Sequence, residues 1–430
     1  MLYYSTNKNS AKVDFREATI KGQAPDKGLY FPERIPQLDK TFLKEFKNKS
    51  KAAIAFEVIK PYVGNCIADD DLYQICEHTS NFDFPLVKIT DSISSLELFH
   101  GPTLAFKDVG ARFMSRCLGY FSKDNKREIT VLVATSGDTG SAVANGFLGV
   151  EGVKVVILYP SGKVSKIQEL QLTTLGQNIT ALEVQGTFDD CQQMVKQAFT
   201  DAEVNEKIFL TSANSINVAR WLPQQFYYFF ALQQWRHDEP PIISVPSGNF
   251  GNICAGLIAA VSGLPIKHFV AACNNNNAFV NFLATENFVA QPAVATISNA
   301  MDVGNPSNFV RVLELFTHDF KKIKNFINAY SIDDNETRKT MARVFEQHHY
   351  LLDPHGAVGF ASLEKYLQVH VESKGMFFET AHPVKFENVV SEATGVPVTI
   401  PSALQQLLHL HKTSVSLNAN YQELKDYLLA

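Results

Sequence analysis

The chain lacks every paired-cysteine signature. Its six cysteines, Cys66, Cys76, Cys117, Cys191, Cys254 and Cys273, are widely spaced, with no C-x-x-C among them. That argues against a disulfide frame or a thiolate zinc site and fits reduced thiols in a cytoplasmic protein. Nor do the twelve histidines offer H-E-x-x-H or a comparable ligand spacing, so no metal is expected. No basic block occurs and the formal net charge is −5, which makes nucleic acid an unexpected partner. No apolar run reaches the length of a membrane span; "FYYFFAL" (226–232) falls far short, and no membrane partner is expected. The N-terminus has no basic segment leading into an apolar stretch, so secretion is not expected. Repeats and low-complexity tracts are absent apart from "NNNN" (274–277), which reads as a loop after a strand.

What is present is globular: 430 residues, 45% hydrophobic and 19% charged, enough for two or three cores. From residue 129 the chain alternates between short β-branched runs and helical segments. "ITVLVA" (129–134), "VKVVILY" (153–159), "NITALEV" (178–184), "PIISVP" (241–246) and "IKHFVAAC" (266–273) read as buried strands. Thr187 followed by Asp190 predicts a capping-box helix start, while Gly176 and Gly263 close helices. Such alternation defines an α/β fold with two parallel-sheet domains around a cleft, and places function in the loops at the carboxyl ends of strands. Residues 1–95 do not alternate and form a separate N-terminal region. The expected division is 1–95, then a smaller α/β domain over 96–212, then a larger one over 213–430.

Three loops that lead into helices carry the candidate chemistry, two of them directly after a strand. "VPSGNFGNICAG" (245–256) feeds small residues straight into a helix, where free N–H groups and the helix dipole make an anion site. Gly248 and Gly251 permit close backbone approach, and Ser247, Asn249 and Asn252 add donors. It is neither a Walker A loop nor a dinucleotide fingerprint. The alternative is a tight turn that uses its glycines for geometry alone. "TSGDTGSAVA" (135–144) is a second junction, with Ser136 and Thr139 able to hold a carboxylate or phosphate. Asp138 is out of place at an anion site, and must face something protonated or else cap the helix. "SANSINVARWLPQ" (212–224) presents Asn214, Ser215, Asn217 and Arg220, with Ser215 as the expected N-cap. Arg220 suits phosphate by its bidentate geometry, the alternative being a structural ion pair. His355 in "DPHGAVG" and His382 in "ETAHPVKFE" read first as satisfied structural histidines.

Lys107 lies in "LFHGPTLAFKDVGARF" (98–113), a loop crowded with Phe99, Leu104, Ala105, Phe106, Val109 and Phe113. Apolar company disfavours the ammonium and yields a nucleophilic amine, a Schiff-base lysine; the bland alternative pairs it with Asp108. A nucleophilic lysine, a phosphate cup and a carboxylate-type loop together suit an aldehyde cofactor bearing a phosphate, pyridoxal 5'-phosphate.

These motifs, with the N-terminal "YYSTNKNSAKVDFREATIKGQAPDKGLYFPE", resemble the threonine synthase family from end to end: "HGPTLAFKDVGARF", "ATSGDTGSA", "SGNFGN" and "TAHPVKF" follow in family order. The resemblance implies the tryptophan-synthase β-like fold (fold type II) and conversion of O-phosphohomoserine and water to threonine and phosphate. It makes Lys107 the cofactor-bonded lysine and the base that moves the α- and β-protons. It makes Gly248, Asn249, Phe250 and Asn252 the phosphate cup, with Ser247 and Gly251 adjacent. Thr380 falls opposite the pyridine nitrogen and Asp138 opposite the cofactor's 3'-oxygen. Asn214, Ser215 and Arg220 resemble the family's substrate-phosphate contacts, and Ser136 and Thr139, from their loop chemistry, are also expected to bind substrate. A monomer or homodimer in the cytoplasm is expected. Dehydratases and cysteine synthases of the same fold need no second phosphate site, which the N-terminal signature and the Asn214–Arg220 segment favour. A non-catalytic phosphate-ligand binder would not need Lys107 and Thr380, and a dehydrogenase would need the fingerprint that is missing.

Overall fold

The run Ile129–Ala134 is a strand buried at every position, as a mostly apolar, β-branched-rich segment is when helices cover both faces of its sheet. In the computed structural model, which describes residues 1–123 and 128–430, it sits inside a five-stranded sheet. The spatial order there is Val415–Asn418, Ile179–Gln185, Val153–Pro160, Ile129–Ala134, Phe209–Thr211, all parallel. A six-stranded sheet runs Ile327–Ser331, His268–Cys273, Ile242–Pro246, Gly375–Glu379, Ile93–Glu97, Leu86–Lys88, parallel except for its last pair. The expected capping box opens helix Phe188–Thr200, where Thr187 and Asp190 bond reciprocally.

The sheets do not respect the expected boundaries at 95/96 and 212/213. Strands Leu86–Lys88 and Ile93–Glu97 precede residue 96 or straddle it, yet extend the larger sheet. At the other end, Val415–Asn418 crosses back to the smaller sheet, where Leu417, Leu424 and Leu428 pack on Leu132, Val156 and Leu182. A single pass from domain to domain would leave those apolar faces and sheet edges uncovered.

The N-terminal region is a buttress. Tyr3–Ser5 pairs antiparallel with Tyr30–Pro32, and Phe15 packs edge-on against Phe113 and Phe121 of helix Lys107–Ser122. Arg311, wholly buried, lies 4.1 Å over the Trp221 ring and donates to the carbonyls of Tyr30 (2.9 Å) and Ile216 (2.6 Å). Among the described residues no helix is long and apolar enough to cross a membrane.

Candidate active site

Lys107 is the first residue of helix Lys107–Ser122 rather than part of the preceding loop. That loop is pinned from three sides. Phe106 N–H donates to Thr380 O (2.9 Å), His382 N–H donates to Leu104 O (3.0 Å), and the Tyr227 hydroxyl donates to Phe106 O. Leu104 adopts φ 57°, a conformation that a bulky side chain holds only under strain. Asp108 does not pair with Lys107; its carboxylate accepts from Thr103 N–H (2.9 Å) and the Thr103 hydroxyl (2.5 Å). Lys107 Nζ has no hydrogen bond or ion pair among the described residues and lies 5.7 Å from the Phe106 ring centroid. The side chain keeps some surface exposure yet is densely surrounded. Burial holds its amine below the ordinary lysine range; Asp138 opposes that, while Lys385 and Arg220 add to it.

Strand Ile242–Pro246 runs into helix Gly251–Val261 through Ser247–Phe250. The successive N–H groups from Gly248 to Asn252 find no protein acceptor among the described residues. Asn252 Nδ2 is buried and unpartnered as well. Phe250 sits at φ 62°, turning the chain so that these donors converge. A Cβ on Gly248 would lie 2.6 Å from Met301 Cα, so the glycine is dictated by backbone packing as well as by the cup. An uncompensated row of N–H groups at a helix start is the complement of a phosphate, and the geometry-only alternative does not explain it. Ser247 differs from expectation: its N–H goes to Ala272 O (2.8 Å) and its hydroxyl to Val245 O (2.7 Å), so it has no donor to spare.

Ser215 is not the helix N-cap. That role falls to Asn217, whose side chain accepts from Ala219 N–H (2.9 Å). Ser215 instead belongs with the cup, its hydroxyl accepting from Asn249 Nδ2 (2.8 Å) and Asn308 Nδ2 (3.3 Å). Asn308 also donates to Asn249 O (3.0 Å) and is itself fixed by Arg311 Nη1 (2.7 Å). Asn308 and Arg311 escaped sequence reasoning, although "NPSNF" (305–309) is turn chemistry of the kind that builds sites.

Arg220 makes no ion pair with a carboxylate among the described residues, which removes the structural alternative. It is 4% exposed, donates from Nη1 to Ala213 O (2.6 Å), and leaves Nε buried and unpartnered. Burial lowers its pKa to about 10, with Tyr227 and Asp108 opposing. Gly110 is the reason Arg220 can lie beside the Lys107 helix: a Cβ there would meet Arg220 O at 2.6 Å. The Asn214 side chain, half-buried, and those of Ser136 and Thr139 make no hydrogen bonds among the described residues and remain available.

Asp138 is the first residue of helix Asp138–Phe147, not its N-cap. The cap role passes to Thr135, whose hydroxyl accepts from Gly137 N–H (3.0 Å) and Gly140 N–H (2.8 Å). The protonated partner that Asp138 requires is Lys385, 2.7 Å away, with both side chains buried. Gln168 Nε2 donates to the same oxygen (2.9 Å). Burial alone would raise this carboxyl's pKa; the Lys385 and Lys107 ammonium groups outweigh it and hold the group ionised well below the usual range. Thr380, 6% exposed, follows strand Gly375–Glu379, and its hydroxyl has no partner among the described residues. His355 pairs with buried Asp353 at 2.5 Å, and His382 stacks edge-on against Phe99; both are structural, as expected. An open groove of about 600 Å³ lined by His78, Arg116, Tyr120 and Glu151 shares no residue with this site.

A free amine at a helix start, an unpartnered hydroxyl on the neighbouring Thr380 segment and a neutral anion cup fit pyridoxal phosphate. Residues 95–376 match the family described as pyridoxal-phosphate dependent enzyme, which fixes the class. Residues 2–80 match the threonine synthase N terminus and 356–428 the threonine synthase C-terminal family. The chain belongs to the threonine synthase family. It is 40% identical to the threonine synthase of Buchnera aphidicola (from Acyrthosiphon pisum), each chain covered completely. The solved threonine synthase of Escherichia coli superposes with a TM-score of 0.92 at 38% identity, covering 100% of this chain and 99% of that one. A threonine synthase from Brucella melitensis solved with bound pyridoxal phosphate gives 0.95 at 32% identity over 100% and 99%. Maize serine racemase, 16% identical with a TM-score of 0.57, shares the fold alone.

Proposed function

We propose that this chain converts O-phospho-L-homoserine and water to L-threonine and phosphate, with Lys107 as its base and pyridoxal 5'-phosphate as cofactor. The observation that carries the reading is two anion positions of opposite character, an open row of backbone N–H groups at Gly248–Asn252 and the buried Arg220 side chain. Gly248–Asn252 offers neutral donors, suited to a phosphate that stays; Arg220 offers a buried, unpaired cation, suited to a phosphate that leaves. The cofactor supplies an aldehyde for Lys107 and an electron sink for the substrate's α-carbon.

In this reading Lys107 Nζ takes the protons of Cα and then Cβ. One base handling several transfers needs a pKa near the working pH, and burial moves the amine that way. Asn249, Phe250 and Gly251 hold the cofactor phosphate beside Gly248 and Asn252, and Asn214 and Ser215 line the passage from cup to Arg220. Ser136 and Thr139 face the substrate carboxylate. The Thr380 hydroxyl meets the pyridine nitrogen without the charge a carboxylate would bring. Six free cysteines, five of them buried, support a cytoplasmic setting, and the enzyme acts as a monomer or homodimer. The test is release of inorganic phosphate from O-phosphohomoserine with and without added pyridoxal phosphate. Cofactor-dependent release with threonine as product is expected; release of phosphate together with ammonia and a 2-oxo acid instead would make the enzyme a phosphate-eliminating lyase that does not add water at the β-carbon.

A further inference from the structure

Asp138 holds its two oxygens in different surroundings. Oδ1 receives both protein donors, Lys385 Nζ at 2.7 Å and Gln168 Nε2 at 2.9 Å. Oδ2 receives none among the described residues. An ionised carboxylate is acceptor-only, so whatever meets Oδ2 in the cleft must donate to it. Lys385 is fixed in turn: it is 2% exposed, and Nζ also donates to Thr103 O (2.7 Å). Thr103 binds Asp108, beside Lys107, through both its N–H and its hydroxyl. Lys385 therefore ties the loop before Lys107 to the loop that carries Asp138, reaching from beyond strand Gly375–Glu379 of the larger sheet to the end of strand Ile129–Ala134 of the smaller.

We propose that Lys385 is a positioning residue that keeps Asp138 a charge-compensated acceptor and thereby sets the proton affinity of the Lys107 nitrogen. The charged groups facing Lys107 are Asp138, Lys385 and Arg220. Asp138 favours a proton on that nitrogen and the two cations disfavour it. Paired, Lys385 opposes at the Lys107 nitrogen the effect that Asp138 has there, and Arg220 acts in the same direction as Lys385. Unpaired, the carboxylate would retain a proton that Lys107 must repeatedly release. The pairing resolves how an acid can sit in an anion-binding cleft: it is neutralised before any ligand arrives.

This inference rests on Lys107 being the cofactor-bonded lysine, which borohydride reduction and peptide mapping of the wild-type holoenzyme tests separately. The discriminating measurement is the pH midpoint of the bound cofactor's visible absorbance. Lys385→Met should raise the midpoint by about one unit, a tenfold gain in proton affinity, and Asp138→Asn should lower it. Lys385→Arg, which keeps the charge, should stay within a few tenths of wild type. If Lys385→Met does not fold, Asp138→Asn/Lys385→Met removes both charges together, and its midpoint should lie above that of Asp138→Asn. A purely structural role would move Lys385→Met and Asp138→Asn in the same direction, or move neither, and either result overturns the proposal. So would a double variant whose midpoint equals or falls below that of Asp138→Asn.

Discussion

The loops at 135–140 and 247–252 look alike as sequence, each a β-branched strand running through Ser-Gly into a helix, yet they are electrostatic opposites. At 248–252 the N–H groups are left open, and the loop itself carries no charged side chain. At 135–140 the Thr135 hydroxyl consumes two N–H groups, and Asp138 brings a negative charge already matched by Lys385. Glycine at a strand–helix turn therefore does not by itself make an anion site; what matters is whether the protein satisfies the donors internally.

The comparison can be broken at several points. Lys107→Ala should cost on the order of 10²–10⁴ in turnover or more, while the open cup still retains the cofactor non-covalently. A parallel loss of cofactor from that variant, seen by equilibrium dialysis, would mean the cup is too weak to act alone. Arg220→Ala should raise the Michaelis constant for O-phosphohomoserine, with about 2–5 kcal/mol lost where the partner phosphate stays buried, and leave cofactor affinity nearly unchanged. The reverse pattern would put Arg220 in the cofactor cup. Gly248→Ala drives a Cβ to 2.6 Å from Met301 Cα, and overpacking of that kind costs about 1–3 kcal/mol, read as weaker cofactor binding. Thr135→Val should have the smallest effect, about 1 kcal/mol in thermal stability from the lost cap, with cofactor affinity unchanged. Equal loss of cofactor affinity in Thr135→Val and Gly248→Ala would erase the distinction between the loops.

Much of this was legible in the sequence, because parallel strands buried on both faces write themselves as β-branched runs and cups as glycine-rich junctions. Ile129–Ala134, Ile242–Pro246 and the Gly248–Asn252 loop follow from such local patterns. The ion pair of Asp138 with Lys385 did not, since its partners lie far apart in the chain and Lys385 sits in a short helical turn that reads as surface. Two signals were nonetheless there: an aspartate without a visible reason, and a lysine set between Val384 and Phe386. Ser215 departs from expectation for the opposite reason. Asn217 and Ser215 are both good caps, and only the tertiary contact with Asn249 tells them apart. Domain limits were least legible, because a strand that crosses between sheets carries the same apolar pattern as one that stays.

The order of strands in the larger sheet also bears on how a newly made chain reaches its working form. Strand Gly375–Glu379 lies between Ile242–Pro246 and Ile93–Glu97, so the two halves of that sheet have no strand joining them until nearly nine-tenths of the polypeptide has left the ribosome. Thr380 and Lys385 emerge directly after it. Lys107, synthesised early, must therefore wait in an unfinished cleft, and a nascent chain stalled anywhere before residue 375 would expose an apolar sheet edge and have no complete place for its cofactor. The strand order makes the cleft one of the last parts of this protein to be completed.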